Sequence, residues 1–191
     1  LKAKLIIAVI INGKETFDDL LARLSARFGA VECLSPWYNF DFTDYYVPEM
    51  GRPLFRRFIV FKETIAQETL PDIKLWTNEL EKSFLNTGDK RHVNLDPGYL
   101  TLERFILATG KNFPHRVYLR NGIFADLTLL YTKGAFQTLP WTFPDYATET
   151  IRNFLAEVRK TYYLEMKNMK DLSQWLKAWP ALPIMKAWPK H

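Results

Sequence analysis

Cysteine is almost missing from this chain: Cys33 stands alone among 191 residues. One thiol cannot form an internal disulfide, and no Cys/His cluster has the spacing of a structural zinc site, so the expected compartment is the reducing cytoplasm. Long apolar runs are missing too. Leu5 to Ile11 is followed at once by Asn12-Gly13-Lys14. That run is too short for a bilayer, which needs about 20 apolar residues, and it lacks a small-residue cleavage site; it reads as a buried strand, and no membrane span is expected.

The familiar catalytic signatures are absent as well. There is no Gly-x-Ser-x-Gly elbow and no His-Glu-x-x-His pair, so neither a serine nucleophile nor a zinc hydrolase is visible. Gly110-Lys111 invites a phosphate loop, but that loop needs a glycine where Phe105 stands and a hydroxyl where Asn112 stands. Asn94-Leu95-Asp96-Pro97-Gly98 fails as a calcium loop, because its glycine is displaced and its twelfth position is Phe105. A chain-wide excess of positive charge is also missing. The formal net charge is +5, yet five lysines and one acid between Met166 and His191 supply +4 of it, leaving 21 basic against 20 acidic groups, or +1, elsewhere. A nucleic-acid partner is therefore not expected for the body and stays open for the basic tail.

What the chain has is an ordinary globular composition, 48% hydrophobic and 25% charged, with 15% aromatic residues. Its length suits one domain that buries roughly two-thirds of its unfolded surface. Lys4 to Ile11 reads as a central strand, and Thr16 as the cap of a helix with Phe17, Leu20, Leu21, Leu24 and Phe28 on one face and Gly29 as its stop. Val31 to Phe42 is a second strand broken by Pro36. Phe40 to Phe55 reads as a long loop over a binding face, and Phe58 to Phe61 as a short strand flanked by Arg56-Arg57 as solvated gatekeepers. Pro71 begins a helix carrying Ile73, Leu75, Trp76, Leu80 and Phe84. His92 to Leu95 reads as a strand, Asp96-Pro97-Gly98 as a turn and Tyr99 to Ala108 as a helix. Asn121-Gly122 and Lys133-Gly134 join antiparallel strands over Arg116–Leu119, Phe124–Tyr131 and Ala135–Phe136. A rigid aromatic loop from Pro140 to Tyr146 precedes a last helix, about Thr148 to Met166.

The expected fold is therefore a single α/β domain of the α+β type over 1–165, with a mixed or mainly antiparallel sheet and a ferredoxin-like start with an added hairpin. Residues 166–191 form a basic extension containing Trp175, Trp179, Trp188 and three prolines. It is either a loosely packed terminus or an amphipathic surface-binding segment.

Candidate site residues gather at strand ends and turns. Asp41, Asp44 and Glu49 offer hard oxygens to magnesium or an acid/base group. Asn94 and Asp96 precede the expected helix start, where backbone N–H groups favour an anion. Lys111, His115 and Arg116 bring cations to the mouth of the next strand, and Asp126 alternates with Leu127 and Leu129. Together they would line a cleft for a small anionic metabolite or nucleotide, with magnesium optional. The bland alternatives are turn and cap roles for the acids, a backbone-bonded His115, and core or lid packing for Trp76, Trp141 and Tyr146. Two other function classes compete: a non-enzymatic module gripping protein or nucleic acid through aromatic loops and tail, and a structural subunit.

Seven stretches (FDFTDYY, EMGRPLFRRF, IKLWTNELE, VNLDPGYLTLERFILAT, PHRVYL, GIFADLTL and PWTFPDY) together resemble a bacterial family known as domain of unknown function 4416. The resemblance spans roughly Lys4 to Tyr163 and leaves out the tail. It implies no catalytic role for any residue.

Overall fold

The computed structural model describes residues 1–85 and 90–178, the last ten of these as backbone only. Its centre is β1 (Lys2–Ile11), whose apolar run is buried on both faces. Leu5, Ile7, Val9 and Ile11 point one way and Ile6, Ala8 and Ile10 the other, as the period of two in a strand requires. After β1 come α1 (Phe17–Phe28), β2 (Val31–Leu34), β3 (Tyr38–Asn39), the short α2 (Val47–Met50), β4 (Phe55–Ala66), α3 (Leu70–Lys82) and β5 (Val93–Leu100). The strands stand in the order β2-β4-β1-β5, every neighbour antiparallel, and α1 and α3 share one face of them. This is the ferredoxin-like arrangement expected from the order of elements.

The sheet then extends through β6 (Arg104–Thr109), β8 (Ile123–Thr132) and β7 (Arg116–Arg120), with β9 (Ala135–Thr138) pairing to β8. Among the described residues it is one antiparallel sheet of nine strands. Asn121, Gly122, Lys133 and Gly134 all have positive φ, so both hairpins turn where the Asn-Gly and Lys-Gly pairs indicate.

The long α4 (Glu149–Ala178) closes the opposite face, packing Ile151, Leu155, Val158 and Tyr162 on Ile6, Ala8, Phe58 and Val60. Lys4, fully buried, ties it down through Glu165 at 2.8 Å and also pairs with Glu32 of β2 at 2.5 Å. Burial alone would lower the pKa of this lysine, but its hydrogen bonds to Glu165 and Glu32 raise it. The backbone of α4 runs unbroken across residue 166. Trp179, Trp188 and the three prolines of the basic extension lie outside the described residues.

Three local expectations need correction. Thr16 occupies the cap position of α1 without a side-chain cap hydrogen bond. Phe58 to Phe61 is only the middle of β4, which begins three residues earlier and includes both arginines. The third concerns residues 96–108: β5 continues through Asp96-Pro97-Gly98, and β6 replaces the expected helix. Phe105 and Leu107 join the core beneath α4 while Ile106 and Ala108 face the other side, a period of two that four consecutive apolar residues conceal. Thr101 makes the reversal, its N–H donating to the Arg104 carbonyl at 3.0 Å and its hydroxyl to Glu103 at 2.8 Å.

Gly98 sits where β5 and β6 pair, opposite Leu107. A Cβ there would run into the backbone carbonyl oxygen of Ile106, an atom that cannot swing aside. Gly98→Ala is therefore expected to cost about 1–3 kcal/mol, the usual range for overpacking. Urea denaturation measures it, and a stability equal to that of the parent would show that the strands do not approach this closely.

Candidate functional site

The ladder between β5 and β6 holds only from Gly98–Leu107 to Leu100–Phe105; before Gly98 the two strands part. Parting strands leave backbone groups without partners, a cost that buried chains do not tolerate. Here α3 supplies the partners. The Leu95 N–H donates to Glu81 Oε1 at 2.7 Å, and Lys74 Nζ donates to the Leu95 carbonyl at 2.6 Å. Leu95 thus points its polar groups away from β1, and by alternation Pro97 points the same way, so its missing N–H falls in the gap.

The opening between the strands is a cavity of about 830 Å³. Its floor comes from one face of the sheet. Arg56, Ile10 and Asn94 stand side by side across β4, β1 and β5, and Phe58, Ala8 and Asp96 form the next row. Phe40, Tyr45 and Tyr46 wall it from the loop after β3, and Trp141, Phe143 and Tyr146 from the loop before α4.

Six of the eight predicted residues line this cavity: Asn94, Asp96, Lys111, His115, Arg116 and Asp126. Asp41 and Asp44 do not. Both are exposed, and Asp44 pairs with Arg52 instead. Glu49 stands behind the wall, holding Arg91 side-on at 2.6 and 2.7 Å.

The polar groups form three clusters. In the first, Arg91 also donates to Glu81 at 2.8 Å and to Asn94 at 3.2 Å, and Asn94 donates onward to Asp96 at 2.9 Å. The Arg91 hydrogen bonds hold the Glu49 carboxyl below its usual range, whereas burial pushes Glu81 up despite Lys74 and its hydrogen bonds from Leu95 and Arg91. In the second, Arg116 Nε donates to Asp126 at 2.8 Å, and His115 Nε2 lies 3.4 Å from the same oxygen. The imidazole stacks on Trp141 with ring centres 4.9 Å apart and planes 11° from parallel, so His115 is held by an indole and a carboxylate rather than by backbone. Beside this cluster Lys111 Nζ binds the Tyr45 hydroxyl at 2.7 Å.

The third cluster centres on Arg56, which is 4% exposed and is no gatekeeper. Its guanidinium lies 4.7 Å from the Phe40 ring centre and 5.1 Å from that of Tyr146. Nη1 touches Asp145 at 2.5 Å without the angles of a hydrogen bond, and Nη2 is 3.6 Å from Asp96. Arg56 Nε, Asp145 Oδ2 and the Tyr146 hydroxyl have no hydrogen-bond partner in the protein. Burial raises the pKa of both Asp145 and Tyr146, against the pull of Arg56.

Sequence reasoning missed Arg56, Lys74, Glu81, Arg91 and Asp145. For Arg56 the signal was its position two residues before core residue Phe58, which puts both on one face of a strand once β4 is extended. Lys74 and Glu81, with Asn78 between them, share a helical stripe, but no pattern in the chain links that stripe to β5. A resident magnesium finds no fit. Among the described residues no group of three or more His, Cys, Asp or Glu side chains is placed to hold a metal. Each acid lining the cavity already faces an arginine or lysine: Glu81 faces Arg91, Asp96 faces Arg56 and Lys74, Asp126 faces Arg116, and Asp145 faces Arg56.

The sequence pattern of a family described as a domain of unknown function (DUF4416) matches residues 1–162. No curated protein and no solved structure matches the chain.

Glu81 gives the site a pH signature. Above 4.5, the ordinary glutamate value, and up to its raised folded-state value, the native protein holds a proton that the unfolded chain has released. Its contribution to stability is full below that window and falls as pH rises through it. Urea denaturation of the parent and of Glu81→Gln, from about pH 4 to about pH 8, is expected to show this downward slope in the difference between them. A pH-independent difference would refute the assignment.

Proposed function

The chain belongs to the DUF4416 family, whose description names no activity, and from the geometry we propose that the cavity binds a small anionic molecule. The observation that carries this reading is the convergence of five basic side chains, Arg56, Lys74, Arg91, Lys111 and Arg116, on one cavity within aromatic walls. They come from β4, α3, the approach to β5, the loop after β6 and β7, so a folded sheet is needed to assemble them. Four acids of the lining, Glu81, Asp96, Asp126 and Asp145, face them, Glu49 holds Arg91 from behind the wall, and Lys111 binds the Tyr45 hydroxyl rather than a carboxylate. The volume lies within the range of about 300–1,000 Å³ usual for small-molecule sites, as does the mixture of apolar walls with a few convergent polar groups. The aromatic loops turn their rings toward this cavity, which favours a small ligand over a macromolecular partner for those rings. The reading is one of binding, and no reaction is assigned to His115 or Asp126.

Thermal-shift measurements with phosphate monoesters, nucleotides and small carboxylates test it, each with and without magnesium. A saturable rise in melting temperature is expected for some of these anions, with no requirement for the metal. Lys111→Ala, a change at an exposed position, should weaken the response by about tenfold, the equivalent of one charge-assisted hydrogen bond of about 1.4 kcal/mol. Silence across the whole panel would sink the proposal.

A further inference from the structure

We infer that the ligand of this cavity is an acidic polyol, a sugar or related polyhydroxyl compound carrying a phosphate or carboxylate, bound with its anionic group at the Lys111 rim and its hydroxyls on the Arg56–Asp145–Tyr146 floor. This rests on the reading of the cavity as an anion site and adds to it where each part of the ligand lies. The two ends of the cavity differ in charge. On the floor, Arg56 and Lys74 are balanced by Asp96 and Asp145. At the rim, Arg116 is balanced by Asp126, while the Lys111 ammonium binds a tyrosine hydroxyl rather than a carboxylate. The cation paired with a hydroxyl instead of a carboxylate therefore sits at the rim, and an anion placed on the floor would meet two carboxylates.

The floor is nevertheless unfinished. Arg56, Asp145 and Tyr146 are 4%, 3% and 2% exposed, and each has a polar atom without a hydrogen-bond partner. Arg91 shows what a completed guanidinium looks like in the same cavity: its Nε and Nη2 edge is filled by Glu49 at 2.6 and 2.7 Å. The matching edge of Arg56 has no bond at Nε and only Asp96 at 3.6 Å from Nη2. Of the floor's four open atoms, Arg56 Nε and Nη1 are donors, the Tyr146 hydroxyl donates or accepts, and Asp145 Oδ2 is an acceptor. A carboxylate or phosphate only accepts, so it would leave Asp145 opposed. A hydroxyl group both donates and accepts, which matches this mixed set. Phe40 and Tyr146 flank the guanidinium, and Trp141, Phe113 and Phe143 line the same cavity, giving apolar surface to the carbon skeleton of such a ligand.

Tyr146→Phe isolates the claim, because it deletes a hydroxyl that bonds to nothing in the protein and should leave the melting temperature unchanged. Isothermal titration calorimetry compares ribose 5-phosphate with butyl phosphate and gluconate with hexanoate, so that hydroxyl content varies at constant anionic group. At least one hydroxylated probe is expected to bind about tenfold or more tighter than its bare counterpart, since sites built to hydrogen-bond a hydroxyl reject analogues lacking it. Tyr146→Phe should shrink that preference to a few-fold without altering affinity for the bare anion, whereas Lys111→Ala should weaken both members of a pair alike. Equal binding within both pairs, or a preference that survives Tyr146→Phe intact, overturns the polyol inference while leaving the anion site standing. Absence of binding by all four probes overturns the inference, and the separate nucleotide panel then decides the fate of the anion reading.

Discussion

The arrangement depends on the backbone of Leu95. Where β5 leaves β6, its N–H and carbonyl would face a gap, and side chains of α3 take the place of the missing strand: Glu81 accepts from the one and Lys74 donates to the other. An uncompensated buried amide or carbonyl costs on the order of 1–3 kcal/mol, so the strands can part here only because both groups are satisfied. The same two contacts fix α3 against the sheet edge and leave the space in front of Asn94 and Asp96 open. Fold and cavity thus share one cause.

Lys74 and Glu81 cannot serve Leu95 without bringing charge into a dry place, and the rest of the network follows from that. Glu81 calls for Arg91, which calls for Glu49; Lys74 leans toward Asp96, which Asn94 and Arg56 also approach. Buried ion pairs add little net stability once desolvation is counted, but removing one partner is expensive. Such a network holds its members in one arrangement. That matters more to a binding site than to a core, since a ligand gains most from groups already in position.

Much of the frame is legible in the chain. The β-branched run of β1, the apolar stripes of α1 and α3 and the two glycine turns each follow from local physics that tertiary contacts then reinforce. Residues 96–108 were opaque for an identifiable reason. Asp-Pro-Gly is a strong turn signal, and Phe105 to Ala108 is apolar at every position, so nothing local distinguishes a strand buried on both faces from a helix. The strand wins because Gly98 lets β6 pass close and because Pro97 needs no donor on the side where the ladder is absent. The acids of the site divide along the same line. Asp126 was found by alternation on a strand; Asp96 was chosen as preceding a helix that does not form, and Asp41 and Asp44 for proximity in a loop, which carries no information about direction.

Arg56 shows how misplacing one strand end hides a cavity-lining residue. Read as the residue before a strand, it is a surface charge; read as the second residue of β4, it shares a face with Phe58 and must be buried. A guanidinium in that position needs hydrogen bonds, and the protein supplies contact with Asp145 and distant attraction from Asp96 but no aligned partner. Stability alone would favour an apolar residue beside Phe40, Phe58 and Tyr146, because a well-packed hydrophobe avoids the desolvation cost. The charge, the tyrosine hydroxyl and the aspartate gain a physical rationale if something polar completes them, which is the argument for placing the proposed ligand against Arg56.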